Sequence, residues 1–428
     1  MRHEPWLTHH ARHHPDTVAL EVLDETLTYG ELHRRVAGAA GALVAEGVRP
    51  GDRVAISLPA GLDFAVALHA CLLLRAAAVP IDLRLTPDEQ AARARTAVFT
   101  VADPLVERAT PLAMASWAYD DVAIVVHTSG TTDEPKEVAL TFGNVRGNAV
   151  GSALALGLDR RERWLCPLPL THVGGLMVLL RSLMYGTTAL VVGFDAEGVR
   201  ERIERWDVTL ASMVPTMLSR VLDAGLSPSP TLRTVLLGGG PVDPTLVDRA
   251  AQAGVPVAQT YGLTEATSSV TLSDPGDALT AGWPLPGVSV WLAEDGEILV
   301  EGPIVAGGGM LRTGDLGRFD ERGRLSVVGR KADTIVSGGE NVAPGEVEAI
   351  LLGHPAVLEA GVFGRPDAEW GEAVCAKVVL REGQQGHPDV LREWCTTRLA
   401  RFKVPKAIEI VSTLPRTASG KLLRQRLK

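Results

Sequence analysis

Between residues 16 and 90 the apolar positions recur first with a period of two and then with a period near 3.6. Each switch between the two predicts an element. Val18-Ala-Leu-Glu-Val22 reads as a strand. Leu27-Thr-Tyr-Gly-Glu-Leu32 leads into a helix, with Thr28 as N-cap and Glu31 three residues on to complete a capping box. Arg53-Val-Ala-Ile-Ser57 predicts a strand, residues 62–74 a helix, and Ala78-Val-Pro-Ile-Asp82 another strand. This β-α-β rhythm is that of an α/β sheet. Val122-Ala-Ile-Val-Val126 is a continuous β-branched run, hence a buried strand, and it empties into His127-Thr-Ser-Gly-Thr-Thr132.

Further on, a strand in residues 208–218 precedes the strand-to-helix turn Val214-Pro-Thr216. Residues 232–237 form a strand running into Gly238-Gly239-Gly240, and Val257-Ala-Gln-Thr260 leads into Tyr261-Gly262-Leu263-Thr264-Glu265. Gly296 to Gly302 reads as a strand and turn. Beyond Gly329-Arg330-Lys331-Ala332-Asp333 a smaller α/β unit begins, with helices at 346–352 and 390–400 and strands at 357–364 and 373–380. The expected division is therefore 1–329 and 330–428, in line with a chain of 428 residues that is too long for one ordinary domain.

Composition narrows the partners. A net charge of −9 argues against nucleic acid or an anionic membrane. Cys71, Cys166, Cys375 and Cys395 are scattered without a C-x-x-C pair, which excludes a zinc cluster of the usual spacing. Residues 1–14 have no apolar core of the signal-peptide kind. No run approaches a membrane span, since residues 173–184 are broken by Arg181. The cytoplasm is the default compartment, and the sequence leaves open whether the chain works as a homodimer.

Four features carry candidate chemistry. Small hydroxyl residues after a strand, with Lys136 close behind, make a phosphate cradle, although the Walker spacing is absent; a polar turn between strands is the plainer alternative. His172, before Gly174-Gly175, sits at the mouth of a cleft or in the core as a hydrogen-bonded histidine. Arg181 interrupts an apolar helix and must find an anion, snorkel, or join a structural ion pair. Asp315, in Arg312-Thr-Gly-Asp-Leu-Gly317, can accept both hydroxyls of a ribose or close an Asx-turn.

The order Thr128-Ser129-Gly130-Thr131-Thr132-x-x-Pro135-Lys136, Tyr261-Gly-Leu-Thr-Glu265, Arg312–Gly317, Gly329–Asp333 and Pro415-Arg-Thr-Ala-Ser-Gly-Lys421 resembles the acyl-adenylate-forming superfamily of AMP-dependent synthetases and ligases. The resemblance runs from about Leu27 to Lys421. It implies a large N-terminal adenylate-forming domain of stacked α/β subdomains and a small mobile C-terminal α/β domain. It also implies roles. Residues 128–132 and Lys136 bind the phosphates of ATP, Gly238–Gly240 border the adenine, Tyr261 stacks on it next to Gly262, Asp315 takes the ribose, and Arg330 contacts ribose or phosphate. Thr264 touches phosphate and Glu265 holds Mg²⁺. His172 matches a position that lines the acyl pocket; Gly174 and Arg181 lie in the stretch that should wall it and are the further acyl-binding candidates. Ala332 is the hinge, Ser337-Gly338-Gly339 borders the CoA tunnel, and Lys421 is the catalytic lysine.

The chain departs from the pattern at Asp133 and Glu137, where glycine is usual, and at Ala332, where Asp or Lys is usual. The two carboxylates are expected to weaken ATP binding by repulsion. Within the superfamily, Gly143-Asn144, residues 150–158, Trp164-Leu-Cys166, residues 179–186 and Val214–Leu218 are similar to the o-succinylbenzoate–CoA ligases of menaquinone biosynthesis; the Ser of that group's His-x-Ser-Gly is Gly174 here. The implied substrates are a small-molecule carboxylate, Mg-ATP and CoA. A ligase for another aryl or fatty acid, and a degenerate nucleotide-binding paralogue, are the alternatives.

Overall fold

The computed structural model describes residues 3–22, 25–108, 116–128, 136–416 and 422–427. Two sheets dominate the N-terminal part. The larger has nine strands in the order Trp283–Pro284, Ser269–Leu272, Val257–Gly262, Thr234–Leu237, Leu210–Met213, Arg163–Cys166, Thr188–Val191, Val18–Val22, Glu25–Thr28. It is parallel across its centre and antiparallel at both edges. The smaller has the order Phe99–Val101, Arg53–Ile56, Ala77–Pro80, Val122–Thr128, Lys136–Thr141, with the last pair antiparallel.

Alternation along each central strand explains how the large sheet is covered on both faces. Trp164, Cys166, Leu210, Leu236 and Ala258 point into one core together with helices Tyr29–Ala45, Leu62–Leu74, Phe142–Leu156 and Val173–Tyr185, which also meet the smaller sheet. Leu165, Ala211, Met213, Val235, Leu237 and Val257 point the other way, onto helices Ala196–Arg205, Pro215–Asp223 and Pro244–Gln252. The helix Leu62–Leu74 is apolar nearly all round because it is sandwiched, with all but three of its residues buried.

Local signals act as the sequence predicts. The Thr28 hydroxyl accepts from the Glu31 N–H at 3.3 Å, and the Thr28 N–H donates to the Glu31 carboxylate at 2.9 Å. The last helix runs Pro388–Thr396 instead of 390–400: beyond Thr396 the turn tightens, with Arg398 N–H bonding three residues back to the Cys395 carbonyl at 3.0 Å, and Ala400 leaves helical geometry.

A four-stranded antiparallel sheet, Ser289–Leu292, Glu297–Glu301, Met310–Phe319 and Leu325–Arg330, packs on Tyr261, Ala266 and Val270. The single 3-10 turn Lys331–Asp333 then leads into a second unit with its own core. There, Glu340–Val342, Ile335–Ser337, Gly371–Leu380 and Val357–Asp367 form a sheet that Ala407–Ile410 joins, covered by helices Pro344–Leu352 and Pro388–Thr396. Among the described residues no helix is long and apolar enough to cross a membrane.

Candidate active site

The chemistry-bearing residues gather at the carboxyl ends of the parallel strands, where open α/β sheets bind ligands. Thr128 closes its strand opposite Lys136, and the two are register partners at the stem of a hairpin. Ser129, Gly130, Thr131, Thr132 and Asp133, in the loop between them, lie outside the described residues, as does Lys421. Lys136 is exposed and carries no side-chain partner among the described residues. Glu137 bears on one expectation. Its carboxylate pairs with Arg53 at 2.8 Å and accepts from Thr96 at 3.4 Å. Partial burial pushes its pKa up, but the Arg53 guanidinium outweighs that and holds it low. Its charge is thus offset by a cation of the same sheet.

The strand Val257–Gly262 ends in a tight reversal, in which Leu263 N–H donates to the Ser268 carbonyl at 3.0 Å. Gly262 is obligatory there, since a Cβ would lie 1.9 Å from the Ser268 oxygen. The 3-10 turn Thr264–Ala266 follows, with Thr264 and Glu265 half-buried and the Glu265 carboxylate without a hydrogen bond or ion pair among the described residues. Gly238, Gly239 and Gly240 come off the neighbouring strand, with Gly238 against Thr260. The Tyr261 hydroxyl donates to Asp315 at 2.8 Å, and Arg330 pairs with the other Asp315 oxygen at 2.9 Å. Asp315 is not in an Asx-turn. It lies inside the strand Met310–Phe319 with Arg330 as its cross-strand partner, and its carboxylate is buried between the tyrosine and the arginine.

On the other side of the crevice His172 caps the helix Val173–Tyr185. Its ring is 42% exposed and 4.0 Å from Asp82, so it is not a core histidine. Asp82 is itself gripped by Arg84, whose guanidinium keeps the carboxyl below its usual range. Gly174 follows against Leu168, and at Gly175 a Cβ would lie 2.5 Å from the Pro169 carbonyl, so the helix starts flush against the preceding loop. About two and a half turns from that start, Arg181 is 3% exposed and has neither snorkelled nor formed an ion pair. One of its Nη atoms donates to Asn148 Oδ1 at 2.6 Å and to Ser269 Oγ at 3.3 Å. Its plane lies 5.5 Å from the Trp164 ring, and its Nε has no partner.

Ala332 is exposed between two anchors. Lys331 binds Asp295 at 2.5 Å and Glu297 at 3.3 Å on the N-terminal side. Asp333 accepts from Arg424 at 2.9 Å, and Arg424 also grips the buried Glu348 of the C-terminal unit. Ser337 is wholly buried with an unsatisfied hydroxyl, so its side chain borders no open channel in this arrangement; only Gly338 and Gly339 reach the surface, beside Trp370.

Sequence reasoning passed over Asn148, Ser269, Asp82, Glu297 and Arg424. A signal existed for Asn148: Asn144, Asn148 and Ser152 recur at i, i+4 and i+8 on one face of the helix Phe142–Leu156, and all three are buried.

The family model for AMP-binding enzymes matches residues 7–102 and 96–310, and that for the AMP-binding enzyme C-terminal domain matches residues 346–421. The chain belongs to the AMP-binding enzyme family. Among its relatives in this family is the 2-succinylbenzoate–CoA ligase of Bacillus cereus strain Q1, 36% identical, with 99% of this chain and 98% of the relative covered. The o-succinylbenzoate CoA synthetase of Bacillus subtilis superposes with a TM-score of 0.93 in its complex with the acyl-adenylate intermediate, at 36% identity, covering 100% of this chain and 98% of that one. The same synthetase with ATP and magnesium also gives 0.93, at 35% identity with both chains covered in full.

Proposed function

We infer that this family member is an AMP-forming carboxylic acid–CoA ligase that converts 2-succinylbenzoate to 2-succinylbenzoyl-CoA in menaquinone biosynthesis. The observation that carries the substrate is Arg181, a buried guanidinium with no carboxylate partner in the helix that His172 caps. 2-Succinylbenzoate has two carboxylates. One must reach the α-phosphorus of ATP, and the other, on the ring, would be prohibitively costly to bury without a cation. Arg181 supplies that cation, in a form suited to bidentate or water-mediated contact. The same charge penalises fatty acids and plain benzoate, which leave it unpaired.

The chain is proposed to work as two bodies, 1–329 and 330–428, turning about Ala332. In the first step the succinyl carboxylate, already ionised at neutral pH, attacks the α-phosphorus. The bond to the bridging oxygen breaks and pyrophosphate leaves, with no general base required. In the second step the thiol sulfur of CoA attacks the acyl carbon, the C–O bond to AMP breaks, and the thiol proton passes to solvent. Catalysis of the first step is positioning and charge neutralisation by Lys421, residues 128–132, Lys136 and Thr264. Tyr261 and Gly238–Gly240 are assigned to adenine, Asp315 and Arg330 to ribose, His172 and Gly174 to the acyl group, and Gly338-Gly339 to the CoA path.

Glu265 fits a magnesium ion that arrives with the nucleotide. It is an unpartnered oxygen donor beside the Thr264 hydroxyl, and no cluster of three metal-ligating side chains exists among the described residues to hold a metal otherwise. When bound, the ion would neutralise charge on the triphosphate. The absorption of Glu137 by Arg53 weakens the case for a degenerate, non-catalytic paralogue.

Pyrophosphate release measured across a panel of carboxylates tests the substrate. We expect 2-succinylbenzoate to be strongly favoured. Preference for benzoate or a long-chain acid would replace this reading with that of a generic acyl-CoA ligase.

A further inference from the structure

We propose that Asn148 is a positioning residue that holds the Arg181 guanidinium in place with a neutral dipole, so that its charge stays available for the ring carboxylate of the substrate. This rests on the reading of Arg181 given above and extends it to how the charge is kept free.

Arg181 sits where three elements meet: its own helix, the helix Phe142–Leu156 and the strand Ser269–Leu272, second from the edge of the large sheet. Every group it touches is neutral, namely the Asn148 amide oxygen, the Ser269 hydroxyl and the Trp164 face. Burial pushes its pKa down, yet an arginine does not surrender its proton in a protein. A buried cation is ordinarily paired with a carboxylate. Here no carboxylate among the described residues pairs with the guanidinium, the neighbouring Tyr185 phenol is kept neutral by its own burial, and Nε is left bare. The charge is therefore solvated by dipoles and not cancelled, which is what an anion-binding site needs before its anion arrives.

Asn148 is suited to this because its amide cannot turn over. It is wholly buried, and its Nδ2 donates to the Ser269 carbonyl at 2.9 Å, which leaves Oδ1 facing the guanidinium. The reversed amide would set N–H groups against N–H groups and carbonyl against carbonyl. An aspartate at 148 would have nearly the same shape; it would place a carboxylate where the neutral oxygen now stands and would replace the Nδ2 donor to the Ser269 carbonyl with an acceptor.

The experiment compares two acids, 2-succinylbenzoate and 4-oxo-4-phenylbutanoate, the same molecule without the ring carboxylate, in wild type, Arg181→Ala, Asn148→Asp and Asn148→Ala. We expect Asn148→Asp to pair Arg181 internally. The KM for 2-succinylbenzoate should rise by ~10–100-fold, the scale of one charged hydrogen bond, with kcat and the KM for ATP little changed. The KM for 4-oxo-4-phenylbutanoate should stay level or fall, so that the preference between the acids collapses. A merely structural role would lower kcat/KM for both acids alike and leave their ratio intact, and that result overturns the proposal. If Asn148→Asp does not fold by circular dichroism, Asn148→Ala decides: loss of aim raises the KM for 2-succinylbenzoate selectively, whereas an unchanged ratio overturns the proposal. The two inferences fail separately. A wild type indifferent to the ring carboxylate removes the substrate reading. A wild type that discriminates through Arg181, with the ratio unmoved at 148, removes only the role of Asn148.

Discussion

The buried cation of the proposed acyl site, Arg181, and the two cations beside Ala332 are held in opposite ways. Arg181 is 3% exposed and surrounded by an amide, a hydroxyl and an indole face. Arg330 and Lys331 are about half exposed, and each is paired with carboxylates, Asp315 for the first and Asp295 and Glu297 for the second. Each of these pairs joins a half-exposed cation to a carboxylate, buried for Asp315 and Glu297 and exposed for Asp295, so solvent screens them mainly from the cation's side. A buried cation kept among neutral partners is costly to maintain, and that cost is recovered only when an anion binds. The contrast separates charges that hold the molecule together from a charge reserved for a ligand.

The largest effect that tests this division falls on the proposed moving body. Lys421→Ala should slow adenylation by ~10²–10³, the usual loss of one preorganised charge at a transition state, while thioester formation from supplied acyl-AMP is largely kept. Equal losses in both half-reactions, measured by pyrophosphate release and by CoA consumption, would take Lys421 out of that role.

His69 sharpens the comparison from the side of a buried base that has no dipoles to keep its charge. It is 4% exposed with its Nδ1 unpartnered, and burial lowers its pKa from 6.5 to about 4. The sign follows from proton counting. Between those values the unfolded chain binds the proton and the folded chain does not, so stability falls as pH drops from 6.5 towards 4, by ~3 kcal/mol over the whole window. Urea unfolding at pH 7 and pH 4.5 should show an acid-dependent loss in wild type that is smaller in His69→Leu. Parallel losses in the two proteins would mean that the imidazole is protonated in the fold.

Arg181→Ala should raise the KM for 2-succinylbenzoate by ~10–100-fold, leave the KM values for ATP and CoA near wild type, and narrow the preference over monocarboxylates. Undiminished use of 2-succinylbenzoate by this variant would erase the distinction drawn above. The smallest effects are expected where exposed pairs are removed. Glu137→Gly should alter the ATP KM by less than about twofold, since its charge is already met by Arg53; a clear fall in KM would return Glu137 to the phosphates. Lys331→Ala should shift the balance between the two half-reactions only a few-fold, and a loss of all activity would make that lysine more than a releasable anchor.

Much of the fold was legible because its causes are local. The capping box at Thr28 and Glu31 depends on residues three apart, and the strand-helix alternation from 18 to 82 depends on side-chain period. The motif residues 128, 238–240 and 261–265 were legible as candidates for the same reason, each being a short string at the end of a predicted strand, and Asp315 as a carboxylate between two glycines. The helix expected at 390–400 ends at Thr396 because periodicity does not register the tightened turn at Arg398 or the non-helical backbone of Ala400. The partner of Glu137 was not legible because Arg53 is 84 positions away. Ser337 looked like part of a surface loop from its glycine neighbours, yet sheet pairing turns its side chain into the core.

The sequence by itself determined which segments are strands and helices, the order of the signatures along the chain, and the kind of chemistry those signatures can support. All of these follow from neighbours within a few residues. Only the tertiary structure decided what each charge meets: Asp315 between Tyr261 and Arg330, Glu137 on Arg53, and Arg181 on Asn148 across 33 residues and Ser269 across 88. The physical reason is that the cost of a charge depends on burial and on the partner opposite, and both arise where distant elements cross.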